Sequence, residues 1–208
     1  MNSKYKTREI NNRQPHGVPV GVSLAAGPYG KPNGSYQFAG QPDSYIEFPN
    51  NGSLDVQHSI TMLCWVYLET SNETGLLFGY KNTNVSWGVR LGIYSGKLAA
   101  RYTDSGDVNK NYAYELDTVP SLGLKQWHYV GSSYDHHTGN ATLWLNGTAV
   151  QELHFKTNMS LATQNVVRMG AINESMHFKG RITAMQVYDV ALTAKQINEV
   201  KNDGRGRN

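Results

Sequence analysis

Apolar and polar residues alternate with period two along most of this chain, most clearly between Lys125 and Thr148. Trp127 opens a strand in which Val130, Ser132 and Tyr134 share one face. Asp135 to Asn140 make a connection in which Gly139 is free to take positive φ. Ala141, Leu143 and Leu145 then alternate with Thr142, Trp144 and Asn146, and Asn146-Gly147 is a two-residue hairpin turn. Such alternation packs one face on a core and turns the other outward.

The same rhythm runs through the flanking sequence. Val18, Val20, Val22 and Leu24 keep one phase, and Pro19 confines that strand to a sheet edge. Tyr36 and Phe38 begin a strand that ends at Gly40, and QPDS turns the chain into YIEF. Ile60, Met62, Cys64, Val66 and Leu68 share a face, with Trp65 and Tyr67 on the other, so this strand is apolar on both sides and central. Strands are expected at Leu76 to Tyr80, Trp87 to Tyr94, Lys97 to Tyr102 and Tyr112 to Leu116. Others follow at Gln151 to Phe155, Val166 to Gly170 and Phe178 to Tyr188. Thr193 and Gln196 form a capping box for a helix that buries Ile197 and Val200 and stops near Gly204. No internal repeat or second domain breaks the pattern. The expected organisation is a flexible segment over 1–14, one domain over 15–201 and a disordered tail over 202–208.

Composition narrows the setting. A chain of 208 residues buries a core without staples. Its net charge of +3, with no basic run, gives no electrostatic footprint for nucleic acid. No stretch is apolar enough to span a membrane, and the first ten residues lack a signal peptide's apolar region. The single Cys64 lies in phase with core positions and reads as a buried, inert thiol. Asn-x-Ser/Thr sequons occur at Asn33, Asn51, Asn72, Asn84, Asn140, Asn146, Asn158 and Asn173. Random placement of 19 Asn and 29 Ser plus Thr gives about three. Turn chemistry accounts for Asn33, Asn51 and Asn146, each followed by Gly. The excess points to an extracellular or cell-surface glycoprotein, with this chain a piece of a larger secreted or membrane-anchored protein.

Three stretches carry a family resemblance. The first is W-H-x-V, then Y-D, a polar turn, an alternating strand and N-G, within Lys125 to Thr148. The second is SYQFAGQPDSYIEF and the strand that follows it, through Thr70. The third is FKGRITAMQVYDVALTAKQINEV, Phe178 to Val200. In that order they resemble the laminin-G-like and pentraxin-like domains, which are concanavalin A-like jelly rolls. The resemblance implies an all-β fold: two antiparallel sheets in a jelly-roll sandwich, with a short C-terminal helix. Pentraxins proper usually carry a paired cysteine near Cys64, and this chain has no second one.

The fold also houses glycoside hydrolases, which need two carboxyl groups flanking the scissile bond. The nearest candidates are Glu115 and Asp117 in YELDT, with no third acid following, so a hydrophilic strand end and no enzyme is the reading. His128 belongs to the resemblance's structural W-H pattern, and His136-His137 sits in a hairpin turn. The resemblance implies structural Ca²⁺ at the F-x-G-x-x-D-x-Y turn, here FAGQPDSY, with Asp43, Gly40 and Asn33 as candidates; the alternative is an Asx-turn by Asp43. A rim calcium would use the start of the strand after Asn84 and the region of Thr163 and Asn165. Carboxylates are lacking there, and Asp104 and Asp107 are the substitutes. Trp144 and Arg90 are out of phase with their apolar neighbours and so are candidate ligand-binding residues. Trp144 would stack on a sugar ring or pack under a loop.

The expected function is a non-catalytic recognition module for adhesion or matrix binding, through protein or glycan ligands. The alternatives are a calcium-dependent pentraxin-type lectin and a structural, self-associating spacer. Neither nucleic acid nor direct membrane insertion is expected.

Overall fold

The computed structural model describes residues 16–81, 88–106, 113–117, 121–172 and 176–206. The segment 1–14, Trp87, Asp107 and the sequons at Asn84 and Asn173 lie outside them.

Two seven-stranded antiparallel sheets form a jelly-roll sandwich. Sheet A runs, edge to edge, β1 (Val18–Val20), β4 (Tyr45–Phe48), β13 (Val167–Gly170), β6 (Gly75–Tyr80), β7 (Arg90–Tyr94), β8 (Lys97–Thr103) and β9 (Ala113–Asp117). Sheet B runs β12 (Thr148–His154), β11 (Asn140–Leu145), β10 (Trp127–Tyr134), β5 (Ile60–Leu68), β14 (Lys179–Tyr188), β3 (Ser35–Ala39) and β2 (Ser23–Ala25). The strand expected to be apolar on both sides, β5, is the middle strand of sheet B. It pairs with β10 from Trp127↔Tyr67 to Tyr134↔Ile60.

The core lies between the sheets. From sheet B it takes Ile60, Met62, Cys64, Val66, Val130, Leu143 and Ile182; from sheet A it takes Leu91, Ile93, Leu98, Ala100 and Tyr102. Each fully buried aliphatic side chain stabilises by about 1.5–3 kcal/mol, so the register of β5 against β10 is fixed by what a slip would expose. Cys64 is free and fully buried, and burial pushes its thiol pKa up, as an inert core position requires.

Both hairpin turns use the expected residues. Gly139 has φ +74, and Asn146 and Gly147 have φ +55 and +92, the double positive φ of a tight hairpin.

Two expectations change. The Val18 to Leu24 stretch is two strands rather than one edge strand. Gly21, at φ +56, breaks it against the Asp43 carbonyl, and the halves become the outer strands of opposite sheets. The C-terminal helix α1 (Ala194–Gly206) continues through part of the expected tail. Its capping box is present: Gln196 Oε1 accepts from the Thr193 N–H at 2.9 Å, and Thr193 Oγ1 accepts from the Gln196 N–H at 3.4 Å. The helix docks on the outer face of sheet B through Ile197 and Val200, with Leu192 just before it.

Candidate functional site

Arg90 belongs to a cross-strand row on the outer face of sheet A. Register places Val18, Glu47, Arg168, Gly79, Arg90, Arg101 and Glu115 in one line across all seven strands. Arg168 Nε meets Glu47 at 2.6 Å, and its guanidinium lies 4.2 Å over the Tyr45 ring. Arg101 pairs with Glu115, which also lies 3.7 Å from Arg90. Arg90 is 8% exposed and reaches the Met176 sulfur at 3.0 Å. Burial first, and the Arg101 charge second, lower its pKa to about 10 against the pull of Glu115. It is a locked structural cation, not the surface-facing ligand residue that its phase suggested. Glu115 and Asp117 project from the same side of β9, but each is paired, Asp117 with Lys97 at 3.9 Å. Both carboxylates are engaged by cations.

Of the calcium candidates at the first turn, Gly40 and Asp43 share one turn and Asn33 lies apart. Asn33 precedes β3 and Gly40 follows it, so that five-residue strand, about 13 Å long, separates them. Asp43 is exposed in the turn, where the Ser44 hydroxyl ties the backbone by accepting from Ala39 N–H and donating to the Gly21 carbonyl. Asp104 is 5% exposed, and a cation already sits on it: Lys156 Nζ is 2.7 Å from Oδ2, while Gly106 and Ser160 N–H groups donate to Oδ1. Burial alone would raise this carboxyl, but those three contacts hold its pKa below the ordinary value. Thr163 is fully buried, with its hydroxyl spent on the Val56 backbone, and the Asn165 carbonyl accepts from Asn50. Asn33 thus stands apart from the Gly40–Asp43 turn, and Asp104 is engaged by Lys156, while Asn84 and Asp107 lie outside the described residues. Among the described residues no group of three or more His, Cys, Asp or Glu is set to hold a metal. His136 donates from Nδ1 to the Met159 carbonyl at 3.0 Å and packs against His58. His128 is buried against the Gly123 carbonyl, a structural position.

Trp144 does face away from Leu143, but it is 8% exposed. It packs with Leu63, Trp65, Tyr129, Leu192 and Ile197, and its Nε1–H donates to Ser133 Oγ at 2.9 Å. Helix α1 covers it, which removes it from the surface.

That helix covers only part of the face. In the next rows of sheet B, register aligns Gln37, Arg181, Tyr67 and Trp127 across four strands, all half-buried. The Tyr67 and Trp127 rings lie 5.5 Å apart, and the Arg181 guanidinium sits 4.7 Å over Tyr67. Arg181 Nε donates to Gln37 Oε1 at 3.1 Å and lies 3.7 Å from Glu69. One row further along β5, Tyr29 reaches in from the loop before β3 and meets Trp65 edge-on at 5.6 Å. Tyr29 is 57% exposed and has φ +66, a left-handed conformation that costs a bulky residue about 1–3 kcal/mol. Period two placed Tyr67 off the core; nothing local in GPYGKPNG announces the conformation of Tyr29.

A family model described as the concanavalin A-like lectin/glucanases superfamily matches residues 39–198. The chain belongs to that superfamily. A pentraxin-related protein, PTX3 from Bos taurus, is 27% identical over 147 residues, 63% of this chain and 35% of PTX3. This concanavalin A-like domain thus spans about a third of the length of the curated relatives it matches. The binding domain of Paraclostridial Mosquitocidal Protein 1 superposes with TM-score 0.74 at 15% identity, covering 93% of this chain and 48% of that one. Domain 4 of AbnA, a GH43 extracellular arabinanase from Geobacillus stearothermophilus, in complex with arabinotriose, gives TM-score 0.69 at 20% identity over 93% and 92% of the two chains. These structural likenesses share the fold. No described helix is long and apolar enough to cross a membrane.

Proposed function

We propose that this domain is a non-catalytic recognition module of an extracellular protein, and that it recognises a glycan through the part of sheet B that α1 leaves open. The observation that carries the reading is the row Gln37–Arg181–Tyr67–Trp127, flanked by Tyr29. There, aromatic rings and planar polar groups line one sheet face without being sealed into the core. Aromatic surface beside hydrogen-bonding groups is what a sugar requires. The arabinotriose complex of the AbnA domain supports the glycan reading. The pairing of Glu115 with Arg101, and of Asp117 with Lys97, supports the non-catalytic one. All six sequon asparagines within the described residues are exposed, which supports an extracellular setting. Four of them (Asn33, Asn72, Asn146 and Asn158) also have positive φ, so turn chemistry contributes to their presence.

The test is a glycan array probed with the purified domain, with calcium and again with EDTA. Binding to a defined glycan in both conditions supports the proposal. Binding that vanishes with EDTA replaces it with a calcium-dependent, pentraxin-type lectin. A blank array in both overturns it and leaves protein adhesion or a spacer role.

A further inference from the structure

We infer that the open face of sheet B takes an uncharged sugar ring against Tyr29, Tyr67 and Trp127, with its hydroxyls on Arg181, Glu69 and Gln37. This rests on the glycan reading above and names the class of glycan. A sugar ring offers a C–H face and a rim of hydroxyls, each hydroxyl both donor and acceptor. It needs aromatic surface for the first and a mixture of donors and acceptors for the second. Arg181 supplies only donors, Glu69 only acceptors and Gln37 both, within one row and its neighbour. The guanidinium already sits over Tyr67, held by Gln37 and Glu69, so little ordering remains for binding.

Charge selects the class. The charge of Arg181 is matched by Glu69, 3.7 Å away. A carboxylate or sulfate on the ligand would meet Glu69 along with Arg181, whereas anion sites present guanidinium groups unopposed. A neutral ring meets no such conflict.

Tyr29 adds an independent sign. Its ring stands 57% exposed on a backbone at φ +66, which glycine would adopt freely. The loop is locked around it: Gly27 and Gly34 N–H both donate to the Lys31 carbonyl. Strain retained under an exposed aromatic fits a wall placed in advance for a ligand.

The experiment titrates the best neutral and best acidic array hits, with arabinotriose and sialyllactose as fixed probes, at low and high salt. Wild type is compared with Tyr29→Gly and Arg181→Ala. The expected result is a neutral glycan whose affinity is indifferent to salt and falls about tenfold or more in each variant. Tyr29→Gly should keep or raise the melting temperature, because it relieves the backbone while removing the ring. A neutral glycan bound equally by wild type and both variants overturns this site and leaves the glycan reading standing. Hits confined to acidic sugars, with affinity falling in salt, overturn the class. A blank array overturns both.

Discussion

Replacing Trp144 separates a structural indole from a ligand-binding one. The side chain is 8% exposed beneath α1, so Trp144→Ala removes most of an aromatic buried area of about 150–250 Å². At about 25 cal/mol per Å² that is about 4–6 kcal/mol, an upper figure because the unfolded chain buries some of it too. Partial collapse of Leu63, Trp65 and Ile197 into the space brings the expected loss to about 3–5 kcal/mol. Trp144→Phe keeps much of the ring but deletes the 2.9 Å bond to Ser133, whose hydroxyl is then left buried, for about 1–2 kcal/mol. Urea unfolding followed by far-UV circular dichroism measures both without relying on tryptophan emission. Glycan binding by Trp144→Phe, measured well below its melting temperature, should equal wild type. A Trp144→Ala loss under about 1 kcal/mol would show that the helix does not cover the indole. So would a binding defect in Trp144→Phe at unchanged stability, and either result refutes the packing described above.

Asp104→Asn should cost about 1–2 kcal/mol at neutral pH, discounted because Lys156 is half exposed and can return to water. The folded-state pKa of Asp104 is depressed, so its contribution is present above the ordinary carboxylate value and fades as pH falls through the lower folded one. Wild type and variant stabilities should therefore converge in acid, and a constant difference across that range would refute the assignment. Thr193→Ala removes the capping box and should destabilise by about 1 kcal/mol in chemical denaturation, with Thr193→Ser retaining most of it. Gly75→Ala would set a methyl within 2.6 Å of the Phe178 backbone nitrogen, so soluble yield or melting temperature should drop sharply; wild-type behaviour would contradict the close approach of β6 to the start of β14.

How much of this could be read in advance divides along physical lines. Strand positions and facing follow from alternation, which is local, so β5, β10, β11 and their hairpins sit where the pattern puts them. The capping box was legible for the same reason, since Thr193 and Gln196 satisfy each other within one turn. The break at Gly21 was not. Val18 and Leu24 keep a single phase across it, and only the Asp43 carbonyl, distant in sequence, decides that the chain changes sheets there. The surroundings of the calcium candidates were hidden in the same way. Asn33 and Gly40 are near in sequence, but extended backbone makes near-neighbours far apart, whereas Lys156 reaches Asp104 from 52 residues away.

The candidate site shows the limit most sharply, because period two reports which way a side chain points and not what lies over it. Trp144, Tyr67, Trp127 and Arg90 all point off the core, and by phase they are equivalent. They differ in what covers them. Trp144 lies under Ile197 and Leu192, at the end of the chain; Arg90 lies against Met176, beyond β13. Tyr67 stays half-buried beside Arg181, and Trp127, also half-buried, packs at the margin of the helix-covered cluster. Coverage is set by how the last segment crosses the sheet, so the binding-competent aromatics of such a domain are those out of phase with the core and also off the path of its terminal helix. Both conditions hold for Tyr67, and Trp127 marks the border of the covered area. Tyr29, its exposed neighbour, comes from a loop where no alternation exists to be read.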